Sequence, residues 1–113
     1  LLACHSRPLA TNLERKLKDV ENLMVAGFHA LCGHMSRQAG VPMPSNIGEQ
    51  DLYESVLPNA LYRAMEIQPS LKWDTIIVDE GQDFRADWWI AIDACLNGNG
   101  KLRVFMDSNQ RVY

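Results

Sequence analysis

Four short apolar runs, each closed by polar residues, limit most strongly how this chain folds. They are residues 1–5 (LLACH), Leu23 to Ala26, Thr75 to Val78 and Leu102 to Met106, and the segments between them carry apolar residues at helical spacing. Near-continuous apolar strands suit a parallel sheet covered on both faces, because a parallel return needs a crossover, usually a helix lying on the sheet. Pro8 suits the first turn of a helix whose Leu9, Leu13 and Leu17 share one face. Phe28, Leu31, Cys32, Met35 and Ala39 repeat the pattern and stop at Gly40 and Pro42. Residues 40–50 (GVPMPSNIGEQ) read as a loop, and 51–66 as two short helices divided at Pro58, with Leu61, Tyr62 and Met65 on one stripe. Trp88, Ala91, Ile92, Cys95 and Leu96 form a stripe on a helix expected over 86–97, with Gly98 as its stop. The expected fold is α/β, a mainly parallel sheet flanked by helices, with residues 40–70 as a short helical insertion.

A chain of 113 residues holds one domain, and 47% hydrophobic with 22% charged residues is ordinary globular composition. The net charge of −3 argues against nucleic-acid binding by bulk electrostatics and leaves room for a local basic patch. Cys4, Cys32 and Cys95 are odd in number and far apart, which suits a reducing cytoplasm better than a disulfide framework. No apolar run approaches membrane length, and no leader pattern stands at the start, so a soluble protein without membrane contact is expected. The chain opens on Leu1 inside a strand pattern and closes on Val112-Tyr113; both ends read as cut.

The polar strand ends carry the chemistry. Asp79-Glu80 follows IIV, Asp107-Ser108-Asn109-Gln110 follows RVFM, His5-Ser6-Arg7 ends the first run, and Gly27-Phe28-His29 ends the second. In an open parallel sheet all carboxyl ends lie on one edge, where ligands bind. An Asp directly after a buried strand can hold magnesium through water, and an adjacent Glu can orient or deprotonate an attacking water. Gln110 is then placed to report on a terminal phosphate. A plainer role for the acidic pair is to cap the helix that follows. The stretch GNGKL, 98–102, imitates a phosphate-binding loop, but Cys95 stands where its first Gly belongs and Leu102 where Ser or Thr belongs.

Taken in order, these stretches resemble the first motor domain of superfamily 1 DNA helicases of the UvrD/Rep type. Asp79-Glu80-Gly81-Gln82-Asp83-Phe84 matches motif II, DE(A/G)QDF, and Val104 to Asp107, Asn109-Gln110 and Val112-Tyr113 are similar to motif III. His5-Ser6-Arg7-Pro8-Leu9-Ala10 resembles motif Ia, and Gly27-Phe28-His29-Ala30-Leu31-Cys32 resembles motif Ib. The resemblance implies a partial RecA-like ATPase domain over 1–113, a three-layer P-loop NTPase fragment, with the phosphate loop of motif I upstream and the second motor domain downstream. It implies ATP as substrate, Mg2+ as cofactor and single-stranded DNA as partner, with RNA left open. Asp79 would act on the magnesium ion, Glu80 would be the general base, and Gln110 would sense the γ-phosphate. Gln82, Asp83 and Asp107 would couple the nucleotide site to motif III. Ser6, Arg7, Phe28, His29 and Tyr113 would line the strand track, where cations meet phosphates and aromatics stack on bases.

Some residues depart from the pattern or fit other roles. Gly27 stands where the family commonly has Ser or Thr, Ser6 where Asn is frequent, and Met106 where Gly is frequent in larger relatives. Phe28 fits the helical core stripe equally well, Arg7 an ordinary solvated charge, and Asp83 a cap on the helix at 86. The competing functions are a metal-dependent nuclease or phosphoesterase using Asp79, Glu80, Asp83 and Asp107, and a degenerate motor domain kept as a binding module. A zinc site from His29, Cys32 and His34 is a weaker alternative. A sheet lacking its phosphate-loop strand would expose an unpaired edge and self-associate. The fragment alone is expected to hydrolyse no ATP.

Overall fold

Strand β1 (Leu2–Cys4) is flanked on both sides by parallel partners, β2 (Val25–Gly27) and β3 (Trp73–Asp79), and β4 (Leu96–Val104) lies outside β3. In this computed structural model, which describes residues 1–106, the sheet order is β2-β1-β3-β4 and every pairing is parallel. Helices make the crossovers, as parallel pairing requires. Helix α1 (Arg7–Lys16) joins β1 to β2, while α2 (Phe28–Ala39), α3 (Glu49–Asp51) and α4 (Leu57–Ile67) lie between β2 and β3. Helix α5 (Ala86–Ala94) joins β3 to β4. The expected α/β class with a parallel, helix-flanked sheet is the observed architecture.

The two faces of the sheet are covered unequally. Ala3, Ile76 and Val78 pack with Phe28, Leu31 and Cys32 of α2, Leu61, Ala64 and Met65 of α4, and Trp88 and Ile92 of α5 in one buried cluster. Successive strand residues point to opposite faces, so Cys4 turns to the other side, where α1 packs along β1 and β2. There a side chain at Gly27 would meet Ala10 at 4.0 Å. Over β3 and β4 that second face is more open: Thr75, Lys101 and Arg103 are exposed and Ile77 is half-buried. No helix among the described residues is long and apolar enough to cross a membrane.

Helix boundaries follow local chemistry. Ser6 caps α1 by accepting the Leu9 N–H through Oγ at 3.2 Å, and Pro8 sits in the first turn, where its missing N–H costs nothing. Helix α2 stops at Gly40, which adopts φ 73°, with Val41 N–H bonded to Ser36 O at 2.8 Å and Gly40 N–H to Arg37 O at 3.2 Å. That paired closure needs a left-handed residue, and glycine takes it without strain.

Three expectations give way to the structure. The chain does not divide at Pro58: α3, a π-helical turn over Leu52–Val56 and α4 form one continuous helical run. Proline offers no N–H and its ring crowds the carbonyl four residues back, and the wider turn just before it, closed by Leu57 N–H to Leu52 O, relieves that crowding. In the same segment Leu57, Leu61, Ala64 and Met65 of α4 belong to the core cluster. Helix α5 ends at Ala94 rather than at residue 97, since Leu96 leaves it to pair with Trp73. The fourth strand accordingly begins at Leu96 rather than Leu102, and ends at Val104 although Phe105 N–H still reaches Val78 O at 2.8 Å.

Candidate functional site

Register brings three strand ends level. Cys4 of β1 stands beside Gly27 of β2 and Asp79 of β3, so His5-Ser6-Arg7, Phe28-His29 and Glu80 leave the sheet side by side. Asp79 is the last residue of β3, and Glu80 turns the chain at φ 59° and ψ 37° into a 3-10 turn over Gly81–Asp83. A left-handed conformation costs a non-glycine residue about 1–2 kcal/mol. Gly81 explains why the turn is so abrupt: its N–H donates to Phe105 O at 3.0 Å, and an added Cβ would lie 2.6 Å from Val104 Cγ1. The chain must press its backbone against β4 immediately after the acidic pair, and the strain falls on Glu80.

Hydrogen bonds hold the strained residue. Glu80 N–H donates to Asp79 Oδ1 at 2.8 Å, Asp83 N–H donates to Glu80 O at 3.0 Å, and Ser6 N–H donates to Glu80 Oε1 at 2.8 Å. The last contact spans 74 positions in sequence and ties the end of β1 to the carboxylate at the end of β3. The hydroxyl of Ser6 is already engaged as the cap of α1, so Ser6 serves both sides at once. Burial pushes the neighbouring Cys4 thiol up to about 11, and the negative field of Glu80 and then Asp79 adds to that rise. Burial and the neighbouring carboxylates therefore favour the neutral thiol at Cys4.

The acidic pair does not cap α5. That helix has Arg85 at its cap position with no side-chain cap bond, and Asp83 is exposed on the 3-10 turn before it. Gln82 is half-buried beside it. Among the described residues no three His, Cys, Asp or Glu side chains gather into a metal-binding group. Asp79, Glu80 and Asp83 make no such group among themselves, and Asp107, the fourth carboxylate of the nuclease reading, is not among the described residues; His29, Cys32 and His34 make none either, and Cys32 is fully buried with its thiol pushed well up by desolvation. One or two carboxylates at a strand end suit magnesium, which keeps most of its own water. Asp107, Gln110 and Tyr113 lie outside the described residues.

Beside the carboxylates stands an aromatic and basic cluster. The ring of Phe28, expected on a DNA track, is fully buried, stacked at 4.9 Å on Trp88 and 5.3 Å from Phe84. Its place in the helical stripe wins, and no face of it is open to a base. His29 is half-buried, edge-on to Trp88 at 4.7 Å and to Tyr53 at 5.0 Å, with Nε2 2.8 Å from Tyr53 O. Burial lowers its pKa, the Tyr53 carbonyl opposes that, and the positive fields of His5 and Arg7 lower it further. Exposed His5 stacks on Trp88 at 5.7 Å, and Arg7 is exposed at the start of α1. His5, Arg7, His29, Ala30 and Tyr53 line a depression of about 80 Å³ at the N-terminus of α2, which has no side-chain cap and no acid in its first turn. A larger cavity of about 530 Å³ lies away from these groups, lined by Tyr62, Lys72, Ile90 and Asn97.

Tyr53 is the residue that sequence reasoning misses. It sits in the π-helical turn, within a stretch that carries no motif, and the register change there brings it against His29. Compared with protein-family models, curated proteins and solved structures, the chain gives no match.

Proposed function

We propose that this chain supplies the metal-holding and water-activating half of an ATP hydrolysis site in a motor that moves along single-stranded DNA. The observation that carries the reading is the Ser6 N–H to Glu80 Oε1 bond, which joins the carboxylate at the end of β3 to the basic strand end that begins α1. A motor needs such a join between its fuel site and its track.

Asp79 and, through the turn, Glu80 would hold and face a magnesium ion and its waters, and the ion when bound would neutralise charge on the phosphates. Glu80 accepts a proton from the attacking water, Gln110 contacts the terminal phosphate, and Gln82, Asp83 and Asp107 pass the state of that site to the next strand end. Arg7 and His5 meet the phosphates of the strand at the uncapped N-terminus of α2, where unpaired N–H groups favour anions. Tyr53 joins Ser6 and His29 on that side, while Phe28 acts from the core by fixing Trp88 and His29. The 113 residues contain no phosphate-cradling glycine loop, so the chain by itself turns over no ATP. The class is that of a P-loop helicase motor domain, in the cytoplasm.

Two measurements test this. Anisotropy of a labelled oligothymidylate with the chain gives salt-dependent binding, and Arg7→Ala weakens it and lowers the salt slope by about 1; binding that ignores both Arg7 and salt overturns the track. In a longer chain that carries this sequence with a phosphate loop, Glu80→Gln lowers ATP turnover roughly 10²- to 10⁴-fold with nucleotide binding kept. Full turnover in that variant overturns the fuel site.

A further inference from the structure

The GNGKL stretch takes no part in that chemistry, yet its geometry is unusual. Trp73 pairs with Leu96 and Thr75 with Lys101, so residues 97–100 (Asn-Gly-Asn-Gly) form a bulge opposite the single Asp74. The bulge is closely folded at its end: a side chain at Gly100 would lie 2.6 Å from Leu96 Cδ1 and 2.9 Å from Asn97 O. Each asparagine is followed by glycine, but their side chains differ. Asn97 donates through Nδ2 to Asp74 Oδ1 at 2.7 Å and is half-buried. Asn99 is exposed and has no side-chain partner among the described residues.

We propose that Asn99 is a site of spontaneous, water-driven conversion to aspartate and isoaspartate, and that the bulge protects Asn97 from the same reaction through Asp74. The Gly100 nitrogen loses its proton to hydroxide and attacks Cγ of Asn99. The new N–Cγ bond closes a five-membered imide, and the Cγ–Nδ2 bond breaks to release ammonia. Water then opens the ring at either carbonyl, so the balance is asparagine plus water giving the acid plus ammonia. Glycine has no Cβ to shield the attacking nitrogen, and the Asn99 side chain gives up no side-chain hydrogen bond among the described residues as it turns to meet it.

At Asn97 two effects oppose the same steps. The amide must give up its bond to Asp74 before Cγ can rotate over the Gly98 nitrogen. The carboxylate also holds the departing nitrogen's protons and places negative charge where an anionic nitrogen must form. A hydrogen bond to a charged acceptor is strong enough to slow the reaction roughly tenfold. Asp74 is exposed, so its removal touches no core contact.

The test is incubation of the chain at mildly alkaline pH, followed by mass spectrometry of the tryptic peptide 86–101, with fragmentation to place the change at 97 or 99. Conversion at Asn99 should run roughly tenfold ahead of Asn97, and should quicken with pH. In urea the two rates should converge. Asp74→Ala should raise the Asn97 rate toward that of Asn99, and Asp74→Asn, which keeps an uncharged acceptor, should fall between. Equal native rates, a faster Asn97, or an unconverted Asn99 where the urea sample converts would overturn the proposal. An Asn97 rate unmoved in folded Asp74→Ala would overturn the protective role.

Discussion

The two halves of the candidate site are built in opposite ways. Asp79 and Glu80 stand on a turn fixed by their immediate neighbours, with Gly81 pressed on β4 and Glu80 forced into a left-handed conformation. The aromatic half is fixed at a distance, since Phe28, Tyr53 and Trp88 come from α2, the π-helical turn and α5. One half is a local constraint and the other a packing result. Substitutions should therefore damage them by different physics, and the single bond from Ser6 to Glu80 should be the thread between them.

The largest effect is expected in the aromatic half. Phe28 is fully buried against Trp88 and Phe84, so Phe28→Ala should lower the unfolding free energy by about 3–5 kcal/mol in urea titration. A residue that only met DNA would leave that midpoint unmoved. In the carboxylate half the corresponding change is Gly81→Ala, which drives a methyl to 2.6 Å from Val104 Cγ1. Val104 is 37% exposed and can yield partly, so the cost should be about 1–3 kcal/mol. A neutral Gly81→Ala would show that β4 moves freely and that Glu80 is not forced into its turn.

What sequence could and could not reveal follows the same division. The apolar runs marked all four strands, β4 only in its second half, and the polar ends of the first three marked the carboxyl edge, because burial on both faces and turn chemistry are local signals. Asp79 at the end of β3 needed nothing further. Phe28 was ambiguous because one helical stripe serves both core and surface, and only the position of Trp88 decides. Tyr53 was invisible: a π-helical turn shifts side-chain direction, and no pattern of period 3.6 reports it. The early end of α5 was hidden too, since Leu96 fits both the helix stripe and the pairing with Trp73. A strand with a four-residue bulge resembles neither template.

Smaller effects probe the thread between the halves. Ser6→Ala removes the cap of α1 and should cost about 1 kcal/mol, yet it keeps the backbone N–H that reaches Glu80. Glu80→Ala keeps the cap and removes the acceptor. Amide exchange at position 6 should quicken in Glu80→Ala more than in Ser6→Ala. The reverse order would mean that the cap, and not the carboxylate, holds the strand end in place.

The smallest effect is a pH dependence confined to the aromatic half. His29 has its pKa lowered from the ordinary 6.5, chiefly by burial, so the unfolded chain binds a proton there more readily than the folded one. Stability from this group is complete above pH 6.5 and is lost as pH falls through the window down to the lowered value. His5 and Arg7 push in that direction and the Tyr53 carbonyl pushes back. In His29→Leu the urea midpoint should lose part of its fall between pH values above and below 6.5, while Glu80→Gln should leave the His29 part intact. If His29→Leu keeps the full slope, the half-buried imidazole gains as much from the Tyr53 carbonyl as it loses to burial, and the aromatic half is then held by that bond more than by its rings.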